Sequence, residues 1–286
     1  MAVYKNGNYW VTLFADGTKI KRTAEDEFRA DFPDSIDLKI TDYCENNCPM
    51  CHESSSVAGR HADLSHPIVD TFVRGMEVAI GGGNPLAHPE LVPFLVRLRA
   101  RGVIANLTVN EMDLVRSQAL VERLLSEHLV YGLGVSTMRC TDHTLSFAAA
   151  HPDVVLHLVC GVYPPDDLAR LADRGLKILL LGYKRFGKGA GYYSPEVEAN
   201  VRATAAMLPS LLPCFEVISF DNLALEQLSV KEVLGEEYYR SVYMGADGEG
   251  SMYVDLVTEQ YAVSSTLTAR APLLPDLKQC FAHLPH

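Results

Sequence analysis

The chain has 286 residues, enough to bury one large core, and its 48% hydrophobic and 21% charged content is ordinary for a globular protein. A net charge of −11 argues against a broad electrostatic footprint for DNA or RNA. No apolar run reaches the roughly 18 residues of a spanning helix, and residues 1–7 lack a signal-peptide core. The expectation is a cytoplasmic protein with no membrane contact, where free thiols stay reduced.

Residues 1–33 read as a small β-meander. Asn6-Gly7 and Asp16-Gly17 fall between alternating segments, a strong short-range hairpin signal. From residue 34 to 228 apolar strands alternate with helical stretches. Strands are predicted at 36–40, 76–81, 103–109, 130–136, 153–160, 176–182 and 215–220, and helices at 89–101, 113–128, 165–174 and 194–212. Such alternation predicts parallel strands joined by crossover helices, and six or seven units fall short of a full eight-fold barrel. Residues 229–286 end in alternating segments at 251–257 and 261–268, read as a C-terminal β-hairpin extension over the barrel mouth. The fold class is α/β, a partial (β/α)6 barrel between two small β appendages.

The first strand runs into Asp42-Tyr43-Cys44-Glu45-Asn46-Asn47-Cys48-Pro49-Met50-Cys51-His52, where three of the seven cysteines fall at the spacing C-x3-C-x2-C. Three bunched thiolates can ligate three corners of a cuboidal four-iron cluster, which normally takes four. The missing ligand leaves one iron open to a small molecule. Structural zinc usually wants four ligands in two pairs, with His52 as the only nearby fourth, and ordinary buried cysteines do not cluster around Pro and Asn in a polar loop. One strand later comes Ile80-Gly81-Gly82-Gly83-Asn84-Pro85-Leu86, whose glycines let backbone groups approach a ligand.

With both motifs in register, the chain resembles the radical S-adenosylmethionine (SAM) superfamily over roughly residues 34–225. The resemblance implies a [4Fe-4S] cluster held by Cys44, Cys48 and Cys51, which are therefore also the catalytic metal ligands. It implies SAM chelating the open iron, with Gly82, Gly83, Asn84 and Pro85 at the family's GGEP motif around the methionyl ammonium. Asn84 stands where Glu is usual, and can accept a hydrogen bond without the charge. Met50 takes the place of an aromatic residue near the adenine, which a polarizable thioether can fill. Asn110 and Ser136, closing the third and fourth strands, are candidates for the ribose and carboxylate of SAM; alone, each would read as a turn former or helix cap. Backbone at Leu181, Gly182 and Tyr183 is expected against adenine.

Substrate residues are less defined. His157 alternates with apolar neighbours and reads first as a hydrogen-bonded core histidine, second as a substrate or ligand contact. Lys184, Arg185 and Lys188 form the chain's clearest basic cluster, at the predicted mouth, where Lys184 or Arg185 could pair an anion. Asp221 reads as a helix N-cap or a substrate contact. The scattered Cys140, Cys160, Cys214 and Cys280 read as small buried hydrophobes rather than ligands of a second cluster.

The resemblance implies an enzyme that, fed electrons by a donor such as flavodoxin or ferredoxin, cleaves SAM reductively to a 5′-deoxyadenosyl radical, which takes a hydrogen atom from the substrate. On the basic loop and the lack of auxiliary-cluster cysteines, the preferred substrate is an anionic small molecule or amino-acid-like group. Peptide epimerisation or cross-linking is the alternative within the family. A non-catalytic zinc or iron–sulfur binding protein is the alternative outside it.

Overall fold

The computed structural model describes residues 2–14 and 18–285. The meander forms as a three-stranded antiparallel sheet of β1 (Ala2–Asn6), β2 (Tyr9–Leu13) and β3 (Lys19–Thr23). The Asp16-Gly17 turn lies outside the described residues. The buried Asp34 carboxylate fastens this sheet to the rest of the chain: Asn6 Nδ2 donates to it at 2.8 Å, Tyr9 Oη at 2.7 Å, and Lys21 Nζ pairs with it at 2.7 Å. Asp34 immediately precedes the first barrel strand, so the meander sits at the amino ends of the parallel strands.

The alternation predicted from residue 34 onward is present. In chain order it comprises β4 (Ser35–Thr41), β5 (Glu77–Gly82), α1 (Leu91–Ala100), β6 (Ile104–Asn110), α2 (Glu111–Arg116), α3 (Gln118–Ser126), β7 (Gly132–Ser136), α4 (Asp142–Ala150) and β8 (Val154–Val159). There follow α5 (Pro165–Arg170), β9 (Lys177–Leu181), α6 (Lys188–Tyr192), α7 (Pro195–Leu211), β10 (Val217–Phe220), α8 (Asn222–Gln227), α9 (Val230–Leu234) and α10 (Glu236–Val242). The chain closes with β11 (Ser251–Asp255), β12 (Gln260–Ala262), β13 (Ala271–Pro272) and α11 (Leu277–Ala282). The single helix expected over 113–128 is instead two. Asn110 caps the first by accepting from Met112 N at 3.0 Å, and the chain leaves helical geometry at Ser117 (φ −123°, ψ 26°).

The large sheet has the order β10-β9-β8-β7-β6-β5-β4-β11-β12-β13. Strands β4 through β10 pair in parallel with their sequence neighbours, and β11 pairs in parallel with β4. The C-terminal hairpin β11–β12 therefore widens the sheet beside β4 rather than lying across an opening. Its burial explains this: Met252, Tyr253, Val254 and Asp255 are all buried, which suits a strand covered on both faces. Ile218 to Phe220 of β10 and the first residues of β4 and β11 border one cavity, so the sheet curls.

Alternate side chains leave the two faces of the curled sheet. Ile36, Leu38, Val78, Ile80, Leu107, Val135, Leu156, Ile178 and Leu180 pack outward against helix residues such as Leu95, Leu98, Leu124 and Leu208. Each such side chain stabilises the fold by about 1.5–3 kcal/mol. Among the intervening positions, which face the concave side, Asp37, Asn106, Thr108, Asn110, Ser136 and His157 are polar and at least partly solvent-accessible, and Gly81 and Gly134 are small. No described helix is long and apolar enough to cross a membrane.

Candidate active site

Cys44, Cys48 and Cys51 leave the carboxyl end of β4 as free, half-buried thiols. The loop carrying them is held from three directions. On the α2 side, Asn46 Nδ2 donates to buried Asp113 Oδ2 at 2.5 Å, and Arg116 donates to Asn46 Oδ1 at 3.0 Å. On the β9 side, Lys188 Nζ donates to Asn47 Oδ1 and to the Ser55 carbonyl, both at 2.9 Å, while its backbone N–H donates to the Cys51 carbonyl at 3.0 Å. From β4 itself, Lys39 Nζ pairs with Asp42 at 2.6 Å, Glu53 at 2.9 Å and Asp255 at 3.4 Å, and Tyr253 Oη donates to Glu53 at 3.1 Å. A loop closed by these contacts is preorganised for whatever its thiols bind.

The donor chemistry fits an iron–sulfur cluster. Burial raises the Cys44 and Cys48 thiols above the ordinary cysteine range, and the neighbouring thiols add to it, so gathering three thiolates calls for a cation. Backbone N–H groups of Asn46 and Asn47 donate to the Cys44 sulfur, and Asn110 Nδ2 lies 4.0 Å from Cys48 Sγ; both favour charge on sulfur. Among the described residues no three or more His, Cys, Asp or Glu converge on one metal ion. A cuboidal cluster, taking one thiolate per iron, does not require such convergence.

The Gly-rich loop lies edge-on beneath the cysteine loop. Gly83 N donates to the Thr41 carbonyl at 2.7 Å and Asn84 N to the Tyr43 carbonyl at 2.6 Å. A Cβ on Gly83 would stand 2.2 Å from the Tyr43 oxygen, and Gly82 has φ +111° with its Cβ position 2.4 Å from the Thr41 oxygen. These two glycines thus serve backbone-to-backbone packing, a cause that the sequence reading, with its ligand in view, did not supply. Around Gly81, by contrast, a Cβ would meet nothing within 4 Å. Gly83→Ala is expected to cost about 1–3 kcal/mol and to lower iron loading, whereas Gly81→Ala keeps the fold stability; urea titration and iron assay of the two variants check this. Asn84 is buried with Pro85, and its Oδ1 accepts from Leu86 N at 3.1 Å, leaving one lone pair for a further donor.

Asn110, Ser136 and His157 share one row of the sheet on adjacent strands, all toward the concave face. The His157 ring lies directly over Gly134, where a Cβ would come within 2.2 Å of it. Among the described residues its nitrogens have no hydrogen-bond partner, so it is not the hydrogen-bonded core histidine first expected. Burial pushes its pKa down to about 4. A histidine depressed in the folded state is neutral there while the unfolded chain takes up a proton below about pH 6.5. Stability is therefore full above that pH and falls as pH drops toward 4. Unfolding of the cluster-free protein is expected to lose roughly 2 kcal/mol between pH 7 and pH 5 from this group, and His157→Asn to remove that loss.

Other sequence candidates are already engaged. Gly182 N donates to Asp221 Oδ1 at 2.9 Å and Tyr183 N to Gln227 Oε1 at 2.8 Å, so side chains from the start and end of α8 occupy the backbone expected to meet adenine. Leu181 contributes its carbonyl to Cys160 N at 2.8 Å. Asp221 is the N-cap of α8, accepting from Ala224 N at 2.8 Å. Of the basic cluster, Lys188 braces the cysteine loop, Arg185 stacks on Tyr193 at 3.5 Å from the ring centroid, and Lys184 donates to Ser265 Oγ at 3.2 Å. Met50 is half-buried in the cysteine loop, its carbonyl near Gly189 of α6. Cys140, Cys160 and Cys280 are buried and Cys214 half-buried, each far from the loop in sequence.

The concave face is acidic where β4 lies. Asp37 projects into it without a hydrogen bond or ion pair among the described residues. Burial raises its pKa; Lys184 opposes that, and Asp247, Asp221 and Glu53 reinforce it.

This curled, mostly parallel sheet, which carries the three-cysteine loop at the carboxyl end of its first parallel strand, is a fold with solved counterparts. The chain shares it with SuiB of Streptococcus suis. Three structures match: SuiB bound to the precursor peptide SuiA (TM-score 0.58, 12% identity, 82% of this chain and 60% of that one), SuiB bound to S-adenosylmethionine (0.58, 10%, 85% and 64%), and a further SuiB structure (0.55, 13%, 83% and 61%). The chain thus spans 60–64% of SuiB's length, and at these identities the likeness is one of fold. No family model and no curated protein matches the sequence.

Proposed function

We infer that the chain is a radical SAM enzyme acting on a peptide. The observation that carries this is the braced C-x3-C-x2-C loop, packed edge-on against Gly82-Gly83-Asn84-Pro85 inside a fold shared with a SAM-bound protein. Cys44, Cys48 and Cys51 would hold the [4Fe-4S] cluster, with Asn84, Asn110 and Ser136 bordering the SAM side. When bound, cluster and SAM supply a 5′-deoxyadenosyl radical that takes a hydrogen atom from the substrate. The chain's own part is positioning: Lys39, Asp113, Arg116 and Lys188 fix the cysteine loop.

The peptide reading gains support over the anionic small molecule from two directions. Of the basic loop that suggested an anion, Lys188 braces the site and Arg185 stacks on Tyr193, while the face toward the substrate sets Asp37, Glu53 and Asp221 against the single Lys184 of that loop. The fold is also shared with a protein bound to its precursor peptide. Anaerobically reconstituted protein, reduced and given SAM, is expected to release 5′-deoxyadenosine and methionine in equal amounts. One zinc per chain without acid-labile sulfide would overturn the reading and favour a non-catalytic metal protein.

A further inference from the structure

The second opening of the molecule lies away from the cysteine loop. A cavity of about 830 Å³ runs between β10, the helices α8–α10, and the first residues of β4 and β11. Among the described residues, strand β10 is the end of the sheet and pairs only with β9. Asp221 N donates to the Leu180 carbonyl, which sets the alternation. Odd-numbered residues of β10 turn their backbone groups to β9, and Ile218 and Phe220 turn theirs to the free edge. Both residues line the cavity. Here an edge with open donors and acceptors faces a slot walled by Leu234, Tyr239 and Tyr243.

The charges of the slot select its occupant. Its two lysines are spent, Lys19 on Glu77 and Lys21 on Asp34. Of its acids Asp34 is spent on Lys21, but Asp221 accepts only backbone N–H groups, and Asp247 accepts from the neutral Asn222 amide at 2.6 Å. Asp37 on the concave face lies in the field of both.

We propose that this slot is a peptide-docking site in which an extended segment carrying a basic side chain adds as a strand to the free edge of β10, its positive charge beside Asp221 and Asp247. Main-chain pairing supplies the affinity and the acid pair the preference. The site rests on the peptide reading above and deepens it, since a chain held along β10 enters the sheet from its open side.

The test uses the full chain with its cluster and a blocked hexapeptide of alternating threonine and valine with one central lysine. In the free protein the Ile218 and Phe220 amides have no acceptor among the described residues and are expected to exchange quickly. At saturating peptide both are expected to slow at least about tenfold, the effect of gaining a hydrogen bond in a covered edge. Replacing the lysine by glutamate is expected to weaken binding about tenfold, and Asp247→Asn to shrink that difference. No binding, or binding that leaves both amides exchanging as before, overturns the proposal. Because these readouts report docking alone, 5′-deoxyadenosine formation without β10 protection sinks this site and leaves the radical SAM reading standing.

Discussion

Cys48→Ala is expected to reduce 5′-deoxyadenosine formation to the assay background and to leave the reconstituted protein without its four-iron complement. Cys48 is the middle cysteine of the loop, and its sulfur lies 4.0 Å from Asn110 Nδ2. Two remaining thiolates cannot hold three corners of a cuboid. The cluster-free fold should hardly notice, because the side chain is half-exposed and packs no core. Unfolding free energies of wild type and variant without cluster should agree to within about 0.5 kcal/mol. Iron and sulfide analysis beside mass-spectrometric detection of the nucleoside checks both halves.

The second large effect belongs to a residue outside either motif. Lys39 is buried among Asp42, Glu53 and Asp255, and these acids lift its pKa despite burial. Beside it, Glu53 is held down at about 2. Lys39→Met removes the cation from this group and leaves buried carboxylates uncompensated, a change worth about 3–5 kcal/mol. Arg270, 3.8 Å from Asp255, reaches only one of the three acids. Because Glu53 follows Cys51 by two residues, the variant should also bind iron poorly. Adding Glu53→Gln to Lys39→Met should recover part of the stability, which separates lost ion pairing from lost packing in a denaturant titration.

Much of the fold was legible because parallel strands covered by helices read as apolar runs separated by periodic segments. Each of the seven predicted strands is present within two residues at either end. The cysteine spacing and the Gly-rich loop are local, so they too could be read directly. The braces could not: Asn46 meets Asp113 across 67 positions and Tyr253 meets Glu53 across 200. Charged residues paired over such separations look like ordinary surface residues in a sequence. One signal was present, a lysine at position 39 between Leu38 and Ile40 in the first parallel strand. The basic loop misled for the converse reason, since its exposed-looking charges gave no sign that Lys188 reaches back to the cysteine loop. The edge of β10 was invisible because strand order depends on which strand lacks a neighbour, and β11 joins β4 instead of β10.

The most direct measurement is the electron paramagnetic resonance spectrum of the reduced, reconstituted protein before and after addition of SAM. SAM bound at an open iron should shift the cluster's g-values in wild type, with no peptide required. A cluster signal that SAM leaves unchanged would contradict the assignment of this loop as a SAM-binding iron–sulfur site.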